Sequence, residues 1–128
     1  MPTAALKPRY KYLNLLKIRL PLPAFVSILH RATGAVLFLL LGFLLWLLQQ
    51  SLQSFNTYSM LRAFVAQWPV KIVLLGLLWA YLHHLFAGIR HLFLDLHFGL
   101  ELKQARQSSV AVLAAGAIGT LIVAVLAC

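Results

Sequence analysis

Three apolar runs constrain this chain more than any other feature. Ala32–Leu48 (ATGAVLFLLLGFLLWLL), Ile72–Ile89 (IVLLGLLWAYLHHLFAGI) and Ser109–Ala127 (SVAVLAAGAIGTLIVAVLA) carry no formal charge. A helix needs about 20 such residues to cross a hydrocarbon layer of about 30 Å. Lipid offers no hydrogen bonds to the backbone, so each run is expected to be helical, with its peptide groups satisfied internally. With flanking turns added, the spans are expected at 24–48, 69–95 and 109–127, after a polar lead-in over 1–23. The fold class that follows is an all-α membrane protein with three transmembrane helices in a single domain, 1–128.

Composition agrees. Hydrophobic residues make up 62% and charged residues 10%, where a soluble domain carries about 25% charged residues. The net charge is +9, which in a soluble chain would suggest a nucleic-acid partner. Here the basic residues flank apolar spans instead, so no nucleic acid is expected. Lys7, Arg9, Lys11, Lys17 and Arg19 precede the first span, and Lys103 and Arg106 lie in the second loop. The first loop, 49–68, holds only Arg62, with Lys71 at its edge. That asymmetry places the N-terminus and second loop in the cytoplasm and the C-terminus outside. Cys128 is the single cysteine, which excludes a disulfide within the chain. The long basic start and the lack of an A-x-A pattern argue against a signal peptide.

Pro21 and Pro23 mark the start of the first helix, since proline fits a first turn without losing a needed hydrogen bond. The third span pairs small residues at Ala115 and Gly119, and at Gly116 and Thr120. Such spacing lets helices approach closely, although an alanine-rich span also produces it by chance.

Ionisable groups inside a bilayer are costly, at about 2.5–3.5 kcal/mol each at a helix centre, and so call for a reason. On the second span His84, Gly88, His91 and Asp95 follow i, i+4, i+7 and i+11 and form one stripe; His83, Ala87, Arg90 and Leu94 form its neighbour. His84 lies roughly 16 Å deeper than Asp95. A neutral imidazole at that depth suits a haem iron, a hydrogen bond to a neighbouring helix, or a proton or metal path. Gly88 would leave room for a flat macrocycle, and His91 or Arg90 could meet its propionates. On chemistry alone His83 competes with His84, but adjacent residues point about 100° apart and only one can face a given site. On the first span Ser27 and Arg31 share a face, with His30 beside them. A hydroxyl and a guanidinium there could hold a quinone oxygen; Arg31 could equally snorkel to lipid phosphates.

Two segments resemble a known family. Ser27-Ile-Leu-His30-Arg31-Ala-Thr33-Gly34 is similar to the S-x-x-H-R-x-[ST]-G motif of succinate dehydrogenase cytochrome b subunits. His84-Leu-Phe-Ala-Gly88-Ile-Arg90-His91, followed by Asp95, resembles that family's H-x-x-x-G-x-R-H…D motif. Ile18-Arg19-x-Pro21 adds to the likeness, while Arg9-Tyr10, Leu94 and His97 depart from it. The resemblance implies three helices packed with a second three-helix anchor subunit. It implies haem b between the two anchors, with His84 as the axial ligand from this chain and the second ligand from the partner. It places Ser27 and Arg31 in the quinone site and His30, Arg31 and His91 around the haem propionates. The substrate would be ubiquinone or another quinone.

The function so implied is the anchor of a succinate:quinone oxidoreductase in a bacterial cytoplasmic membrane, rather than a mitochondrial one. The anchor would join a flavoprotein and an iron–sulfur subunit to the lipid bilayer and would hold no succinate-oxidising site of its own. The alternatives are a haem-free anchor, a fumarate reductase anchor, and a small proton or metal transporter built on His83, His84 and His91.

Overall fold

The computed structural model describes Lys17 and residues 19–127. Lys7, Arg9 and Lys11 of the basic lead-in, Tyr10, Ile18 of the motif, and Cys128 lie outside the described residues. The described chain is helical: α1 (Leu22–Gln53), α2 (Phe55–Val65), α3 (Trp68–Asp95) and α4 (Leu102–Ala127). α1, α3 and α4 are each long and apolar enough to cross a membrane. The expected class, an all-α multi-pass membrane protein, is the one observed.

Proline sets the helix starts. Pro21 caps α1 with φ −65° and ψ 150°, and Pro23 and Pro69 sit in the first turns of α1 and α3. An N–H there has no intrahelical acceptor, so proline loses nothing. The apolar spans lie inside longer helices. α1 has 32 residues and is about 48 Å long at 1.5 Å per residue. It therefore tilts or projects beyond the hydrocarbon.

The polar first loop is largely helical. Ser54 is extended (φ −159°, ψ 159°), ends α1 and starts α2. Its Oγ accepts the Thr57 N–H at 3.2 Å, and Thr57 Oγ1 accepts the Ser54 N–H at 3.2 Å. This reciprocal cap satisfies donors that a helix start would otherwise leave unpaired. α2 lies against α1 and α3.

The second loop is shorter than the polar run 96–108 suggests, because α4 begins at Leu102. α3 ends in a tight reversal. The Phe98 N–H donates to the Phe93 carbonyl at 3.0 Å, and the His97 N–H to the Leu94 carbonyl at 3.0 Å. This pairing needs a left-handed residue just past the helix, and His97 takes that place with φ +64°.

α3 is central and packs against both α1 and α4. Its inward stripe is Ala80, His83, Ala87 and Arg90, all buried. Val26 of α1, Ala87 of α3 and Val112 of α4 form the core, with Phe86 and Leu113 against it. The small residues of α4 serve the close approach. A Cβ on Gly116 would stand 3.7 Å from the His83 backbone, and one on Gly119 would stand 2.9 Å from a Leu82 methyl. Elsewhere the apolar side chains point outward: Phe38, Leu39, Leu52, Val125 and Leu126 are all more than three-quarters exposed. In lipid such a surface needs no further cover.

Candidate functional site

The two histidines that chemistry left competing are placed in unlike surroundings. His83 faces inward. It is fully buried, stacked on Trp79 with ring centroids 5.3 Å apart, and set against the Gly116 stretch of α4. Neither of its ring nitrogens has a hydrogen-bond partner among the described residues. The Val26 backbone lies close by, without the geometry of a bond. No ligand could reach His83 from outside while α1, α3 and α4 stay packed.

His84 turns to the seam between α1 and α3 and is only partly buried. Its Nδ1 lies 3.0 Å from the His30 carbonyl and 3.4 Å from Thr33 Oγ1. A carbonyl can only accept, so Nδ1 carries the proton and the lone pair is on Nε2. Thr33 Oγ1 donates to the carbonyls of Leu29 (2.8 Å) and His30 (3.1 Å). Its oxygen is thereby turned to receive the imidazole N–H. A histidine whose second nitrogen donates to a carbonyl is held in the tautomer and orientation that a metal ligand requires.

His30 completes a three-histidine group. Its ring stacks on His84 at 4.2 Å with an interplanar angle of 6°, and lies 4.9 Å from His91 at 52°. Two glycines admit these rings. A Cβ on Gly34 would come within 2.7 Å of His84 Cε1, and a Cβ on Gly88 within 3.4 Å of His30 Nε2. The space over Gly88, expected for a macrocycle, is thus taken by His30. Thr33 and Gly34 belong to the first motif, but spacing alone assigns them no role; they form the seat of the His84 ring.

Ser27 and His30 lie one turn apart on α1, partly buried, and Arg31 beside them is exposed. Ser27, His30, Arg31 and Gly34 therefore occupy one end and one side of α1. Asp95 is exposed at the end of α3 and lies within electrostatic reach of His91. Arg90 does not join this group. Its Nε donates to Ser108 Oγ at 2.9 Å and its Nη2 to the Ala105 carbonyl at 3.4 Å, both on α4. The rotation of about 100° per residue that sends His91 toward α1 sends Arg90 the other way.

Among the described residues, no three His, Cys, Asp or Glu side chains converge to hold a metal ion. The arrangement offers one oriented imidazole lone pair at His84. It also offers two further imidazoles and a guanidinium nearby that can meet anions, and a hydroxyl–guanidinium pair near the start of α1.

The sequence profile described as the succinate dehydrogenase/fumarate reductase transmembrane subunit matches residues 5–123. Among similar proteins is a succinate dehydrogenase cytochrome b556 subunit of Paracoccus denitrificans, 40% identical over 84% of this chain and 80% of the relative. Another of that name, from Coxiella burnetii, is 37% identical over 78% of this chain and 81% of the relative. A third, from Rickettsia felis, is 33% identical over 76% and 73%. Three apolar helices, an ordered histidine group on the first two of them, and a match running nearly end to end agree: the chain belongs to the succinate dehydrogenase/fumarate reductase transmembrane subunit family.

Proposed function

We propose that this chain is the haem b-binding anchor of a succinate:quinone oxidoreductase in a bacterial cytoplasmic membrane, with His84 as the residue of this chain that would hold the haem iron. The observation that carries the assignment is the contrast between the two adjacent histidines. His83 is sealed among three helices of its own chain, whereas His84 is half-open, with Nδ1–H committed to a carbonyl and Nε2 left as donor. That donor set fits haem, whose iron takes neutral imidazole. A second anchor subunit would supply the other residue that holds the iron.

Bound haem would supply a one-electron store beside the quinone. The chain's own residues do the rest. Thr33 and the His30 carbonyl hold the His84 ring. His30, His91 and Arg31 offer cationic or hydrogen-bonding groups to the propionates. At the same end of α1, the Ser27 hydroxyl donates a hydrogen bond to a quinone oxygen. Arg31 stabilises the negative charge that develops on that oxygen as electrons arrive from the iron–sulfur subunit. The two protons of the quinol come from water or partner subunits. Succinate is oxidised in the flavoprotein subunit, and this chain ties that machinery to the membrane. Family membership favours this reading over a histidine-based transporter. The family spans both succinate oxidation and fumarate reduction, and the net direction follows from the quinone and the other subunits.

The test is a reduced-minus-oxidised spectrum of the purified complex. His84→Ala is expected to lose the b-type α-band and His83→Leu to keep it. The reverse pattern would move the ligand to His83, and a band retained in both variants would remove the ligand from this pair of histidines.

A further inference from the structure

On the side of α3 away from the histidine group, a groove of about 420 Å³ runs between α3 and α4. Its walls are apolar: Phe86, Ile89 and Phe93 on α3, and Ala111, Val112 and Ala115 on α4. Arg90 and Ser108 also line it. Arg90 is 7% exposed, and the partners it has, Ser108 Oγ and the Ala105 carbonyl, are neutral. The chain has two acidic side chains, Asp95 and Glu101, and both are exposed. Asp95 belongs to the His91 side. A guanidinium drawn into an apolar wall without a counter-charge is costly, and the cost is relieved when an anion pairs with it.

Depth and shape narrow the anion. Arg90 lies five residues before the end of α3 at Asp95, about 7.5 Å along the axis, near enough to the end of a candidate span for a lipid phosphate to reach it. Below it the groove continues to Phe86 and Ala115 with no charged residue among its lining. Lys103 and Arg106, both exposed, stand on the first turns of α4 above it. A free phosphate would use the guanidinium and leave the apolar trough empty; an acyl chain joined to a phosphate uses both.

We infer that the α3–α4 groove is a binding site for one anionic phospholipid. Its phosphate pairs with Arg90, and an acyl chain lies against Phe86, Ile89, Ala111 and Ala115. The site is separate from the histidine group and does not depend on haem.

The test is native mass spectrometry of the complete complex, delipidated in detergent and titrated with dioleoyl phosphatidylglycerol or dioleoyl phosphatidylcholine. The wild-type complex is expected to bind one phosphatidylglycerol at this site at least about tenfold more tightly than phosphatidylcholine, because both offer a phosphate but the choline ammonium meets the like charges of Arg90, Lys103 and Arg106. Arg90→Gln should weaken phosphatidylglycerol binding and reduce that preference. Ala111→Phe, which fills the trough from an exposed position and leaves Arg90 in place, should weaken both lipids. Because Arg90 also ties α3 to α4, the second variant keeps the test open should Arg90→Gln fail to assemble. Equal affinity for the two lipids in wild type would overturn the inference. So would an unchanged preference in Arg90→Gln, or full binding in Ala111→Phe. Displacement of the lipid by millimolar inorganic phosphate, with no effect of Ala111→Phe, would make this a simple anion site and overturn it too. A carboxylate of a partner subunit cross-linking to this position would do the same.

Discussion

Gly34 and Gly42 lie on the same helix and the same substitution separates them. A Cβ on Gly34 would stand 2.7 Å from His84 Cε1 and 3.2 Å from Nδ1, while one on Gly42 meets nothing within 4 Å. Ordinary contact begins near 3.4 Å, so the His84 ring must retreat by about 0.7 Å (3.4 less 2.7) to admit an alanine. The ring cannot do so freely. It is bonded to the His30 carbonyl at 3.0 Å and stacked on His30 at 4.2 Å. A retreat of that size along the bond stretches it to about 3.7 Å, beyond hydrogen-bond range. Losing a partly buried bond of this kind costs about 0.5–1.5 kcal/mol, and mis-setting the ring adds to it. Gly34→Ala is therefore expected to weaken haem retention by about tenfold, since about 1.4 kcal/mol is one decade. Gly42→Ala is expected to be neutral, or to stabilise the complex by up to about 1 kcal/mol through helix propensity alone. The assay is haem per complex from the reduced-minus-oxidised spectrum, read against dilution and heating in detergent. Equal haem retention in the two variants would refute the reasoning, because only Gly34 touches the ring.

Other outcomes follow from the same contacts. Arg31→Ala should lower quinone reduction on the order of a hundredfold, and Ser27→Ala by about tenfold, the latter with the α-band intact; normal quinone reductase activity in Arg31→Ala would remove that residue from the site. His97→Gly should raise the thermal stability of the complex by about 1 kcal/mol, because a left-handed residue with φ +64° is strained with any side chain; no rise in melting temperature would count against the strain. Ser54→Ala should cost about 1 kcal/mol locally by removing a reciprocal cap. Faster hydrogen exchange confined to the start of α2 is the expected signature, and unchanged protection at Tyr58 would contradict it.

The membrane class and the existence of three spanning helices were legible because lipid leaves the backbone so few choices. Three uncharged runs and their flanking prolines are enough to place Leu22, Trp68 and their helices within a turn or two. Helix ends were less legible. Gln49–Gln53 and Leu102–Ser108 are polar, and polarity marks where lipid stops rather than where a helix stops. α2 was hidden for a related reason. Its cap uses Thr57 where glutamate or glutamine usually stands, so Ser54-x-x-Thr57 does not announce itself. The left-handed turn at His97 carries no glycine to signal it, although Gly99 two residues later takes the same sign of φ.

The histidine group shows why a periodicity argument stops where it does. The repeat of 3.6 residues separates the stripe of His83, Ala87 and Arg90 from that of His84, Gly88 and His91, but it is silent on which stripe meets which helix. The answer comes from residues on other helices. Gly116 on α4 lets that helix close over His83. Gly34 and Thr33 on α1 make a seat for His84 and fix which of its nitrogens holds the proton. This stretch of α3 therefore presents two unlike surfaces. Toward α1 it sets out imidazoles that can serve a metal and its anionic rim. Toward α4 it buries a guanidinium beside an apolar trough. Residues 90 and 91 are neighbours in sequence and both basic, which is why they look interchangeable as propionate partners. The rotation between them assigns His91 to the histidine group and leaves Arg90 facing the groove between α3 and α4.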